Sequence, residues 1–293
     1  GDGMLDVLIV SEDDKTNELF LQRNQSFIDA SDRLPTEGIS NAVAWATFSE
    51  ETRRTIFVGN NGQNHLWVQD GAGGFIDATD GRLPLREDVT QDLELGDLDG
   101  DGDLDLVVGN EGDNRILLQE GGVFTDAAPG CLPSRDTPEE TRDVELGDVD
   151  GDGDLDLLFG NVRAFVSNAD PTNRLLLNNG DGCYTDATAQ RWPTRALSTF
   201  DADLIDLDGD GDLDIITGNL TPGLSLGADG FRAFRNDGAG FFEEATEAFF
   251  GALPEGKGFD IEAFDANGDG ELDLYFASRG APDRLFLRTP RRP

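Results

Sequence analysis

The chain has 293 residues, 37% of them hydrophobic, with 37 glycines and a net charge of −38. It contains no run of about 18 apolar residues, which excludes a membrane-spanning helix, and so negative a surface repels nucleic acid and anionic lipid. Only Lys15 and Lys257 are lysines, a composition that suits saline or calcium-rich surroundings.

In chain order, Gly1-Asp-Gly-Met-Leu-Asp6 matches the second half of a nine-residue pattern that returns complete further on. No leader peptide is visible at this start, which falls inside a motif. The second repeat is degenerate: in register with later ones, Thr47, Ser49, Glu51 and Thr55 stand where carboxylates are expected. The intact pattern then reads Asp97-Leu-Asp99-Gly-Asp101-Gly-Asp103-Leu-Asp105 and Asp148-Val-Asp150-Gly-Asp152-Gly-Asp154-Leu-Asp156. It recurs as Asp206-Leu-Asp208-Gly-Asp210-Gly-Asp212-Leu-Asp214 and Asp265-Ala-Asn267-Gly-Asp269-Gly-Glu271-Leu-Asp273.

Oxygen ligands at loop positions 1, 3, 5 and 9, with glycine at 6, form a cage for a hard cation. Calcium takes six to eight oxygens, whereas magnesium prefers a smaller octahedral shell rich in water. Position 7 (Asp103, Asp154, Asp212, Glu271) would offer its backbone carbonyl. About four calcium ions are expected, one per intact loop. An EF-hand needs a bidentate Glu at position 12 between helices. Here position 12 is Val108, Phe159, Thr217 or Phe276, and the flanks are short apolar or alternating runs ending in Gly-Asn, the pattern of strands.

The third repeat predicts four strands, over 92–96, 105–109, 115–119 and 123–127, the last two joined by a Gly-rich hairpin. Linkers repeatedly contain Leu-Pro or Trp-Pro, at Leu34, Leu83, Leu132, Trp192 and Leu253, and proline keeps them out of a sheet ladder. Position 9 falls at residues 6, 55, 105, 156, 214 and 273, and four strands at a period of roughly 50 residues mark a β-propeller blade. The expectation is one all-β domain over 1–293, a β-propeller of four-stranded antiparallel blades, six in number, with seven as the alternative.

Residues 147–188 carry Gly-Asp-x-Asp-Gly-Asp-Gly-Asp-Leu-Asp-Leu, then Gly-Asn, then Asn-Arg-Leu-Leu-Leu-Asn-Asn-Gly-Asp-Gly and Tyr-Thr-Asp-Ala-Thr. This stretch resembles the FG-GAP/VCBS repeat, in the version of cartilage acidic protein-like and integrin α-subunit-head-like calcium-binding propellers. The resemblance covers essentially the whole chain. It implies a calcium-stabilised propeller, and it leaves function open because the fold also hosts adhesion proteins, lectins and polysaccharide lyases.

Other residues read more plainly. His65 is the only histidine and holds the slot of Arg115, Arg174 and Arg284, a packing position. Those arginines, with Arg232, are expected to offset nearby carboxylates. There is no nucleophile elbow, P-loop or dinucleotide fingerprint, so the chain reads as no enzyme. The pairs Asp92/Glu94, Asp143/Glu145, Asp201/Asp203 and Asp260/Glu262 stand two apart and share a strand face, read as solvated channel walls or an axial cation site. Cys131 and Cys183 are compatible with a bridge or with two free thiols.

The loops between second and third strands, 162–172 and 220–230, are long and carry Phe165, Val166, Leu220, Leu224 and Leu226. Arg163, Asn168, Asp170 and Asp229 rim them. Loops on a rigid scaffold are where binding resides, so a protein or glycan ligand is expected there, on the face opposite the calcium loops. The functional expectation is a secreted or cell-surface, monomeric adhesion module. A lectin with pockets between blades is the alternative, and a carbohydrate-active enzyme the weaker one.

Overall fold

The structure is a computed structural model that describes residues 4–11, 16–36, 39–48, 53–193, 196–220, 230–251 and 257–288. The chain divides into two compact units, Gly1–Leu132 and Pro133–Pro293. Both are built from antiparallel strands that run up and down in sequence order.

In the first unit, Val7–Ile9, Glu18–Arg23 and Ser26–Asp29 form a three-stranded sheet. Two four-stranded sets follow. The first is Ser40–Thr47, Arg54–Gly62, His65–Gln69 and Phe75–Asp77; the second is Asp88–Gly96, Asp105–Asn110, Arg115–Glu120 and Val123–Asp126. They merge into one eight-stranded sheet because Arg54–Gly62 runs long, pairing Asn61 with Val89 and Gly62 with Asp88. The first strand of the third repeat thus starts four residues before the expected 92, where the neighbouring sheet supplies it a partner.

The second unit holds two four-stranded sheets and one of three strands. Their strands are Thr141–Gly147, Asp156–Asn161, Arg174–Asn178 and Tyr184–Asp186; Thr199–Ile205, Asp214–Asn219, Phe231–Asn236 and Phe242–Glu244; and Lys257–Phe264, Asp273–Arg279 and Arg284–Phe286. Two linkers coil into short helices, Thr188–Arg191 and Thr246–Phe250, which the proline pattern did not reveal.

The strand after each intact loop is buried on both faces in the third, fourth and fifth repeats, hence its nearly unbroken apolar sequence. Hydrophobic clusters form between successive repeats. Phe57 of the second meets Phe124 of the third edge-on at 5.1 Å, and Trp192 of the fourth meets Phe234 of the fifth at 5.5 Å. A single repeat cannot bury its own faces, so neighbours must stack.

A buried polar ladder accompanies this core. Thr90, Thr141 and Thr199 donate their hydroxyls to Asn110, Asn161 and Asn219 at 3.0, 2.8 and 2.7 Å. Asn64 and Asn173 reach forward to Thr90 and Thr199 of the next repeat at 2.9 and 2.8 Å. The recurrent Gly-Asn therefore ends a strand and accepts its own repeat's threonine, while Asn64 and Asn173 clasp the next repeat. A bulge just after each of these threonines, as between Thr199 and Asp201, re-aims the strand.

Candidate functional site

The four acidic loops each join a first strand to a second. In the fourth repeat, Gly151 and Gly153 donate their amides to the two oxygens of Asp148 at 2.8 and 3.0 Å, curling the chain around the first carboxylate. Gly153 lies at φ +99°, a conformation open to glycine at little cost. Asp154 donates its amide to Asp152 at 3.0 Å. The third loop repeats this at Asp97, Asp99, Asp101 and Asp103, with Gly100 on Asp97 at 2.9 Å and Asp103 on Asp101 at 2.8 Å. The fifth does so at Asp206, Asp208, Asp210 and Asp212, and the sixth at Asp265, Asn267, Asp269 and Glu271.

The ninth-position carboxylates have a second duty. Asp105, Asp156 and Asp214 are buried and accept amides from the loop and from the third strand: Leu98 and Gln119, Val149 and Asn178, Leu207 and Asn236, all at 2.8 to 3.0 Å. Asp273 does the same with Ala266 and Arg288. Burial, then the neighbouring loop carboxylates, pushes Asp156 up to about 7 and Asp105 and Asp214 to about 6.

The loops gather oxygens that a metal ion could use. Asp97, Asp99 and Asp101, then Asp148, Asp150 and Asp156, then Asp206, Asp208 and Asp210, each bring three carboxylates within 4.8 Å of one another. Among the described residues the sixth loop makes no such acidic trio; its third position is Asn267. One oxygen of Asp150 takes Arg191 at 3.1 Å, while the other, Oδ1, is buried without a partner. A desolvated carboxylate oxygen costs free energy unless a donor or cation meets it. An all-oxygen set with this orphan fits a hard divalent ion.

In the degenerate second repeat Ala46 pairs with Thr55, as Gly96 pairs with Asp105. Thr55 thus takes the ninth position, and its hydroxyl is buried without a partner. Ser49 and Glu51, and Asp2 of the first half-motif, lie outside the described residues.

The acidic strand pairs are half-buried in the third, fourth and fifth repeats, whereas Asp260 and Glu262 of the sixth are exposed. Asp143 accepts the amide of Ala202 at 3.0 Å and Asp201 that of Ile261 at 2.8 Å, so each staples its repeat to the next. Burial first, then Asp203, Asp260 and Glu262, holds Asp201 well above the usual carboxylate range. Asp203 is pushed to about 7 by burial, then Glu262 and Asp260, and Glu94 to about 7 by burial, then Asp92. The shared face was legible from the two-residue spacing, but its burial depends on the adjacent first strand. Three of the four third-strand arginines offset carboxylates as expected, Arg115 with Asp88 and Asp126, Arg174 with Glu139 and Asp186, and Arg232 with Glu244, whereas Arg284 has no acidic partner among the described residues; His65 lies 3.3 Å from Asp77.

The long loop of the fourth repeat is built around a residue the sequence reading missed. Glu140, its side chain fully buried, accepts amides from Ala164 at 2.8 Å and from Phe165 and Val166 at 3.0 Å, and takes Arg142 at 3.0 Å. These hydrogen bonds outweigh its burial and lower its pKa. Arg142 also stacks over the Phe165 ring at 4.9 Å, and Phe165 remains 73% exposed. The only sequence signal was an acid just before a first strand. Leu224, Leu226 and Asp229 of the fifth-repeat loop lie outside the described residues.

Consecutive antiparallel strand sets, acidic loops and inter-repeat cores define a repeat protein of the β-propeller class. Residues 53–108, 97–159 and 163–217 match the FG-GAP-like repeat, and the chain belongs to that family. Cartilage acidic protein 1 of Mus musculus is 32% identical over 179 residues, covering 55% of this chain and 26% of that protein. The Homo sapiens protein is 31% identical over 179 residues, covering 55% and 25%. The chain thus spans about a quarter of the length of these relatives. A crystal structure of a Lactobacillus plantarum protein shares the fold, with a TM-score of 0.54 and 10% identity over 96% of this chain and 81% of that one.

Proposed function

We propose that this chain is an extracellular binding module whose acidic loops take up calcium and whose opposite strand ends bind a protein or matrix partner. In the fourth repeat the loop 148–156 and the loop 162–173 lie at opposite ends of Asp156–Asn161, so ion and partner act at separate places. The observation that carries the partner site is Glu140, which spends a buried charge on fixing a loop that holds an aromatic ring out to solvent. Calcium rests on the orphaned oxygen of Asp150 and the gathered carboxylates. An extracellular setting is supported by the disulfide bonding of Cys131 and Cys183, since such bonds persist in oxidising compartments.

The test is binding to a panel of immobilised matrix proteins and to a glycan array, in calcium, with wild type and Phe165→Ala. Saturable binding to a protein that Phe165→Ala abolishes without a change in melting temperature supports the reading. Binding to glycans alone, or protein binding untouched by the substitution, overturns it.

A further inference from the structure

Arg191, at the end of the linker helix Thr188–Arg191 of the fourth repeat, reaches across to the fifth. Its Nη1 donates to the carbonyl of Ala239 at 2.6 Å and to Asp150 at 3.1 Å, and its guanidinium stacks over the Phe241 ring at 4.9 Å. Ala239 and Phe241 lie in the hairpin between Phe231–Asn236 and Phe242–Glu244, and Asp150 is the third position of the fourth acidic loop. One side chain therefore touches a carboxylate of the loop and two residues of the neighbouring repeat.

The hairpin lies directly on that loop. Asn236 donates its Nδ2 to the carbonyl of Val149 at 2.8 Å. A Cβ added at Gly240 would stand 3.1 Å from the Cβ of Asp150 and 2.7 Å from Arg191 Nη1, an approach that suits glycine alone. Arg33 holds the same linker slot, one residue before Leu34-Pro35, and donates to the carbonyl of Gly73 in the second repeat's hairpin at 3.2 Å. Reaching the next hairpin is thus the slot's general role, and the fourth repeat adds a loop carboxylate to it. In the fifth repeat Asp208 pairs instead with Arg235 of its own third strand at 3.2 Å, and Arg235 stacks on Phe249 of its own linker helix at 5.4 Å.

We infer that Arg191 couples ion uptake at the fourth loop to the seam between the fourth and fifth repeats, so that calcium tightens the seam and the docked hairpin tightens calcium. The inference rests on the reading of the acidic loops as calcium sites. Asp150 divides its oxygens: Oδ2 takes Arg191, while the buried Oδ1 has no partner. An ion at Oδ1 and Arg191 at Oδ2 use one carboxylate from two sides, and an outer partner of this kind orients the ligand. Without the ion, Asp150 is repelled by Asp148 and Asp156, whose oxygens lie within 4.8 Å of its own. The ion holds Asp150 where Arg191 spans it and Ala239 together. Coupling of this kind is reciprocal, so whatever loosens the hairpin weakens calcium by the same factor.

Amide hydrogen exchange of the full chain, followed as calcium is titrated, reads the two ends separately. Gly151, Gly153 and Asp154 report the loop; Ala239 and Gly240, whose amides are held by Asp237 and Asn236 at 3.0 Å, report the hairpin. Both stretches should gain protection with one midpoint, by about fivefold or more at the hairpin. Phe241 is 49% exposed, so Phe241→Ala leaves the core intact, and it should move the loop's midpoint to roughly fivefold higher calcium. In Arg191→Met, which keeps the aliphatic length but has no donor, the loop should still respond to calcium and the hairpin should not. Adding Phe241→Ala to that variant should then leave the midpoint where it is. A hairpin indifferent to calcium in the wild type, or an equal Phe241→Ala shift with and without Arg191, overturns the coupling and leaves the calcium site standing. A loop that does not respond to calcium at all removes the calcium reading, and the coupling with it.

Discussion

Asn178 donates its amide hydrogen to Asp156 across 2.9 Å, tying the acidic loop of the fourth repeat to its third strand. Asp156 also receives Val149, so one carboxylate organises the loop and faces the cluster that calcium would join.

Asp156→Asn should therefore disturb both roles. The carboxamide keeps the shape but turns one acceptor into a donor facing an amide, at about 1.5–3 kcal/mol for a lost bond to a charged group. Chelation of wild type should itself lower stability by about 2.7 kcal/mol per site saturated at 100-fold excess. Thermal unfolding and calcium titration of both proteins check this, and a melting curve indifferent to chelator would count against calcium.

Thr55 is expected to behave in the opposite sense. Its buried hydroxyl has no partner, and Thr55→Val removes that group while preserving the shape. Stability should rise by about 1 kcal/mol on the mutational scale for an unpaired buried hydroxyl, whereas Thr199→Val, which strands Asn173 and Asn219, should cost about 1–3 kcal/mol. Parallel denaturant titrations compare the two.

Glu140→Gln should loosen the loop it holds. The amides of Ala164, Phe165 and Val166 would exchange faster with solvent, and stability should fall by about 3 kcal/mol as a charge-assisted cluster is lost. Phe165→Ala, at an exposed ring, should stay within about 0.5–1 kcal/mol of wild type. Hydrogen exchange resolved at 164–166 distinguishes the two effects.

The acidic groups that the fifth and sixth repeats bring together around Asp203 predict a pH dependence. Burial, then Glu262 and Asp260, raises Asp203 to about 7, above the unfolded value of about 3.9. The folded state thus holds a proton that the unfolded chain releases, and stability falls as pH rises from about 4 to 7, with the penalty complete above 7. Asp203→Asn should flatten this slope and gain up to about 4 kcal/mol at pH 8 relative to pH 4. Denaturation in chelator at both pH values measures it, and an unchanged slope would place the titration elsewhere.

The sequence by itself determined whatever is local. Nine consecutive residues specify each acidic loop, because every hydrogen bond that curls Asp148 to Asp154 is made within that stretch. Strand order and the propeller class followed from the period, and the role of the third-strand arginines from their recurrence. Tertiary structure decided what depends on the neighbouring repeat. Asp143 meets Ala202 and Asn173 meets Thr199 of the next repeat, and within the fourth repeat Glu140 meets amides more than twenty residues away. Whether an acid is a solvated wall or a buried staple depends on how much water its neighbours exclude, and that is set only when the repeats pack.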